Sequence, residues 1–222
     1  MHGPPGTGKT AVAVHAAGLF TGRAGLVDCR GLDADQVAAR AGRAGCALLV
    51  LDDVTAEDQV AGLLPGTGHA VVVTSRRALR GLGPVRRVPV GPLPPAESVR
   101  LLAAITGVPA GDPDLRRVAG YCEHLPLALR AAGNRLVTRP GWTVGDLAVR
   151  LADEDRRLAN LTAGDLSVQR VLAEAYAEMS PDERRAVSAG SVLFSRAAAV
   201  TRSGGPGGSP GSAAPAGPWR PR

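Results

Sequence analysis

The chain has 222 residues, 45% hydrophobic but only 3% aromatic, so any core is built from Ala, Val and Leu, with room for one or two domains. Its formal net charge is +6, but Arg202, Arg220 and Arg222 near the C-terminus carry three of those charges, and the remainder is no nucleic-acid footprint. No run approaches the roughly 18 consecutive apolar residues that span a membrane, and Met1 is not followed by a signal-peptide pattern. Cys29, Cys46 and Cys122 lack C-x-x-C spacing, which argues against a disulfide framework or a metal site. Reduced thiols in a cytoplasmic protein are the expectation, with Cys46 and Cys122 as small core residues.

The first segment is Gly3-Pro4-Pro5-Gly6-Thr7-Gly8-Lys9-Thr10, which fits the phosphate-loop pattern G-x-x-x-x-G-K-[ST] at every fixed position. Its glycines let backbone N–H groups turn inward around phosphates. The lysine is a compact charge that reaches the terminal phosphates, and the threonine hydroxyl ligates Mg²⁺. Lys9 is the single lysine among 26 basic residues. A chance Gly/Pro-rich turn would match the pattern too, but the helix-type segment Ala11 to Phe20 follows as the motif requires. Only Met1 and His2 precede Gly3, so the buried strand that ordinarily feeds such a loop is absent from the sequence. A truncated or decayed product, or a start that lies upstream, is the expectation.

Further along, Gly25 to Arg30 reads as a short strand and Asp33 to Arg43 as a helix with Asp33 as its N-cap. Ala47 to Leu51 is a continuous apolar run ending in Asp52-Asp53, as in a strand buried on both faces of a parallel sheet. A helix at Ala56 to Leu64 and strands at Ala70 to Val73 and Val85 to Val90 complete the alternation, which means an α/β parallel sheet. After Pro95 the periodicity is helical only: Ala96 to Thr106, Pro113 to Cys122, Leu127 to Val137, Val144 to Leu158 and Leu166 to Glu178. Ser180-Pro181-Asp182-Glu183 is a capping box that opens one more helix, fading near Val192. From Thr201 onward 11 of 22 residues are Gly or Pro, a composition too poor in apolar surface to order.

Three signals fall in one order. Behind the phosphate loop, Asp52 and Asp53 emerge at the C-terminal end of an apolar strand, the edge where open α/β sheets bind ligands. There Asp52 suits Mg²⁺, directly or through water, and Asp53 suits a water to be oriented or deprotonated. Val71-Val72-Val73-Thr74-Ser75-Arg76 then places an arginine at the end of another strand, where it can sense a γ-phosphate. Read alone, Arg76 is also compatible with a solvated surface arginine in an Arg-rich chain.

Together with Leu125-Pro126-Leu127-Ala128-Leu129, these segments resemble the NB-ARC module of STAND signalling ATPases, of the type found in large bacterial transcriptional regulators. The resemblance runs from about Gly3 to about Val192. It implies a P-loop nucleotide-binding α/β domain at 1–92 with its first strand missing, and a helical ARC-like subdomain at 93–160. An incomplete winged-helix start at 161–200 and a disordered tail at 201–222 follow. It implies that Gly3, Pro4, Pro5, Gly6, Thr7, Gly8, Lys9 and Thr10 bind the phosphates of ATP or ADP, with Mg²⁺ on Thr10 and Asp52. Asp53 would be the water-side acid, Arg76 the γ-phosphate sensor, and Pro126 the residue packed on adenine. The sequence departs from the pattern at His124, where the family usually has Gly, and the span between Arg30 and Ala47 is short. The His-containing motif that holds ADP in the off state is not reached. The function implied is a nucleotide-operated signalling switch with slow ATPase activity, protein partners or self-association on activation, and no specific DNA or membrane binding by this chain alone. A housekeeping AAA+-type ATPase and an inactive remnant are the competing readings.

Overall fold

A computed structural model of the chain describes residues 1–64, 68–164 and 166–188. It divides into two compact units, Met1–Ala175 and Tyr176–Arg222; of the second, residues 176–188 are described. The expected Gly/Pro-rich disordered tail at 201–222 lies outside the described residues, as does the fading end of the last helix.

The first unit opens with α1 (Lys9–Gly18) and a three-stranded parallel sheet of β1 (Ala24–Asp28), β2 (Leu48–Val54) and β3 (Ala70–Ser75), in that spatial order. The fold is α/β, as the alternating pattern predicts. All seven residues of β2 are buried, the signature of a strand covered on both faces. Helix α1 packs on β2 and β3, while α2 (Ala34–Ala44) covers β1 and meets α3 (Asp58–Ala61). Asp33 caps α2 as its sequence position predicts, in a reciprocal capping box with Gln36. Val27, Val37, Leu49, Leu51 and Val60 form the core on this side. Cys29 and Cys122 are buried free thiols, and Cys46 is half-buried. Burial is the first cause pushing Cys29 up to about 11 and Cys122 up to about 12.

The position of the strand ahead of a P-loop is held by two residues. His2 bridges in parallel to Ser75 of β3 on one side and to Pro89 on the other. The chain's amino terminus donates to the Val73 carbonyl at 2.6 Å, and Ser75 donates its amide to Met1. The segment Val85 to Val90, expected as a full strand, forms a single bridge to the sheet, at Pro89. Pro89 has no N–H to give, and its neighbours Val88 and Val90 carry the two ladder bonds to His2.

Helices α4 (Pro95–Thr106), α5 (Pro113–Tyr121), α6 (Pro126–Val137) and α7 (Val144–Ala152) follow. They share a second core of Leu102, Leu115, Val118, Leu129, Leu147 and Leu151. The sequence predicts one helix over Val144 to Leu158. The structure breaks it at Asp153, whose extended backbone ends α7 and whose carboxylate accepts the amides of Asp155 and Arg156 to start α8 (Glu154–Asn160). The predicted helix at Ala56 to Leu64 is likewise only α3. The Gln59 side chain takes the amides of Thr55 and Ala56 into a turn, and Gly62 follows the helix. Leu166 and Ser167 are not helical but form β5, paired antiparallel with β4 (Thr162–Ala163), before α9 (Val168–Ala177). In the second unit the Ser180–Glu183 capping box is present with both of its hydrogen bonds, at the head of a helix over 181–188.

Candidate nucleotide site

The loop from Gly3 to Gly8 is positioned by close approaches that exclude side chains. A Cβ on Gly3 would lie 2.0 Å from the Val90 carbonyl oxygen. Gly6 and Gly8 adopt φ of 78° and 88°, a region that L side chains avoid. Gly8 is the N-cap of α1 and offers no side chain to the helix, so nothing from the cap residue takes the amides at that end. Inside the loop, Lys9 Nζ donates to the carbonyls of Gly3 and Pro4 at 2.9 and 2.8 Å, and Thr7 Oγ1 donates to Pro4 at 2.9 Å. Lys9 is 9% exposed. Burial is the first cause lowering its pKa, partly countered by the nearby Asp53 carboxylate.

Thr10, one residue on, donates its hydroxyl to Asp52, 2.8 and 3.1 Å from the two carboxylate oxygens. Asp52 also accepts from the Thr74 hydroxyl at 2.5 Å, so α1, β2 and β3 each bring one oxygen group to the same spot. Among the described residues no three His, Cys, Asp or Glu side chains gather as a metal cluster. One hydroxyl beside one carboxylate nonetheless fits Mg²⁺, which keeps several waters and takes few protein ligands.

Asp53 is set apart from its neighbour by the backbone. The β2–β3 register shifts between Leu51 and Val54, and Asp53 there adopts φ 54°, a left-handed conformation that costs about 1–3 kcal/mol for a residue with a side chain. Its amide donates to Thr74 Oγ1 at 3.0 Å, and its carboxylate lies 3.0 Å from Arg30 Nε and 3.5 Å from an Arg76 terminal nitrogen. The sequence singled out Asp52, Asp53 and Arg76, and the structure brings all three to one sheet edge with Lys9 and Thr10. It missed Arg30. The signal is the sheet register: Asp28 of β1 pairs with Asp52, so an arginine two residues past Asp28 stands level with the end of β2, which the sequence alone does not show.

The helical segment reaches the loop through the N-terminus of α6. Leu127 donates its amide to the Gly6 carbonyl at 3.1 Å, and a Cβ on Gly8 would lie 3.9 Å from Pro126. Pro126 thus borders the phosphate loop. Just before it, Glu123 and His124 take φ of 50° and 58°. The backbone keeps at His124 a conformation natural to glycine. His124 is held there by Nδ1 at 3.1 Å from Ser98 Oγ and by its carbonyl accepting from Leu93 at 2.9 Å.

Two further organisers carry no sequence motif. Arg87 donates to the carbonyls of Ala78, Leu79, Arg80, Leu82 and Val85, tying up the connection after β3. Gln59 donates to the carbonyls of Cys29 and Leu32. A cavity of about 690 Å³ lies away from the phosphate loop, beside Met1 and His2, between Val71 and Val73 of β3 and Val85 to Arg87. Among the described residues no helix is long and apolar enough to cross a membrane.

No protein-family model matches the chain. It is similar to the regulatory protein AfsR of Streptomyces griseus and to that of Streptomyces coelicolor, 39% identical to each over 143 residues. That match covers 63% of this chain but only 15% and 14% of the two relatives, so the chain spans a small part of the length of the relatives it matches.

Proposed function

We propose that the chain is an ATP- and ADP-binding switch module of the NB-ARC kind, from a transcriptional-regulator-type protein. The observation that carries this reading is the convergence of Lys9, Thr10–Asp52 and Asp53 at one sheet edge, with Pro126 and Leu127 of the helical segment against the same loop. The similarity to AfsR supports the regulatory part of it. In this reading the loop amides and Lys9 bind the phosphates, and Thr10 and Asp52 hold Mg²⁺, which neutralises charge on the phosphates when bound. Asp53 orients the attacking water and accepts its proton, and Arg76 leaves the Asp53 carboxylate for the γ-phosphate while Arg30 stays. Loop occupancy is passed to α6 through the Gly6–Leu127 hydrogen bond. The setting is cytoplasmic.

Calorimetry with Mg-ATP and Mg-ADP tests the binding. Lys9→Ala should abolish it, and equal affinity in wild type and variant would overturn the assignment in favour of an inactive remnant. Hydrolysis should run well below the roughly 10 s⁻¹ of a median enzyme, because a switch needs a long-lived bound state. Phosphate release at ordinary metabolic rates, or nucleotide-driven ring assembly, would favour an AAA+-type ATPase.

A further inference from the structure

Away from the nucleotide site, three arginines converge on one tryptophan. The guanidinium carbons of Arg150, Arg139 and Arg135 lie 4.1, 4.9 and 5.6 Å from the centroid of the Trp142 ring. Elsewhere on these helices three arginines have carboxylate partners a turn away: Arg100 with Glu97, Arg117 with Asp114, Arg156 with Asp153. Arg135, Arg139 and Arg150 make no ion pair among the described residues. Asp146, a turn before Arg150 and held below its ordinary value in small part by that arginine, has one oxygen already engaged by the Thr143 amide and hydroxyl.

Like charges gathered around one ring repel, and cation–π contacts of about 0.5–1 kcal/mol at exposed sites offset only part of that. Arg135 shows the cost: one terminal nitrogen donates to the Ala159 and Thr162 carbonyls, but its Nε is buried with no hydrogen-bond partner, and burial, then Arg139 and Arg150, lower its pKa. The platform is nevertheless rigid. The Trp142 amide closes a turn on Arg139 at 2.9 Å, and the next residue, Thr143, caps α7 in a reciprocal box with Asp146. Val149 precedes Arg150 and is 65% exposed, and Val137, two residues from both Arg135 and Arg139, is 57% exposed.

We infer that Trp142 with Arg135, Arg139 and Arg150 forms a docking site for an acidic peptide segment of a partner protein, one that alternates carboxylates with aliphatic side chains. Carboxylates complete the charge of the guanidiniums, and aliphatic residues cover Val137 and Val149. A nucleic-acid strand fits less well, because the guanidiniums already occupy the indole on which a base would stack and a phosphodiester offers nothing to the valines. The inference does not depend on nucleotide binding.

The full chain carrying Trp219→Phe keeps Trp142 as its one tryptophan, so its emission reports the site. Titration with a synthetic peptide of Asp, Glu and Leu should give a saturable emission change that weakens with salt, while the same peptide with Asn and Gln in place of the acids should give none. Arg139→Gln with Arg150→Gln should weaken binding by at least about tenfold. Should circular dichroism show that double variant to be unfolded, Val149→Asp leaves the stack intact and adds a repelling carboxylate, and the same loss is expected. No saturable change, or unchanged binding in either folded variant, overturns the inference. Displacement of the peptide by inorganic phosphate or a DNA duplex at matched charge also overturns it, in favour of a phosphate site.

Discussion

Asp53 combines an unfavourable backbone conformation with two arginines on its carboxylate. Asparagine is the substitution that separates these effects, because it tolerates the left-handed region while losing the charge. Asp53→Asn should therefore lower ATP hydrolysis far more than nucleotide affinity, measured by phosphate release and calorimetry on the same preparation. An equal fall in both would make Asp53 a binding residue rather than a water-side one. His124 presents the same strain without the same chemistry. Relative to His124→Ala, His124→Gly should be more stable by about 1 kcal/mol, since the left-handed penalty falls on alanine alone. Chemical denaturation of the two variants checks this, and equal stability would show that the backbone relaxes there.

At the scale of elements, the caps decide where helices begin. Asp33→Ala should cost about 1 kcal/mol by removing the acceptor for the Gln36 amide, seen as a lower denaturant midpoint with unchanged slope. The Thr143–Asp146 box adds a pH dependence. Hydrogen bonds from the Thr143 backbone and then its hydroxyl hold the Asp146 carboxyl below its ordinary 3.8. Its contribution is thus complete above that value and fades as pH falls through the lowered one; Asp146→Asn should flatten stability in that acid range. These elements also show what was legible in advance. The alternation of periodicity gave β1 to β3, and the capping residues gave α2 and the helix at 181–188. The split at Asp153 was not read, because the apolar spacing of Val144 to Leu158 continues through it and only the aspartate's local hydrogen bonds compete. The loss of strand character at Val85 to Val90 was hidden for another reason: a strand exists by its neighbour, and the residues that would pair with it are not in its own sequence. In the site, motif spacing identified the acids and Lys9. Arg30 and Arg87 act through geometry that only the folded sheet supplies.

For the whole molecule, the pairing of His2 between Ser75 and Pro89 has the largest leverage. The cavity beside it is lined by Val71, Val73 and Val85, and each buried backbone group left without a partner costs about 1–3 kcal/mol. A chain extended ahead of Met1 by a short run of β-branched apolar residues should unfold at higher temperature, by about 2–4 °C for each kcal/mol gained, and should bind Mg-ATP more tightly. Thermal melts with and without nucleotide on both forms measure this; identical transitions would show that two residues suffice to anchor the sheet. The self-bonded lysine bears on the timing of any such binding. With Nζ held by the Gly3 and Pro4 carbonyls of its own loop, the loop is latched by the very group that would receive a phosphate. Under the proposed function, nucleotide capture would have two stages, encounter followed by exchange of those carbonyls for phosphate oxygens. The observed association rate would therefore level off at high nucleotide concentration, at the rate of unlatching.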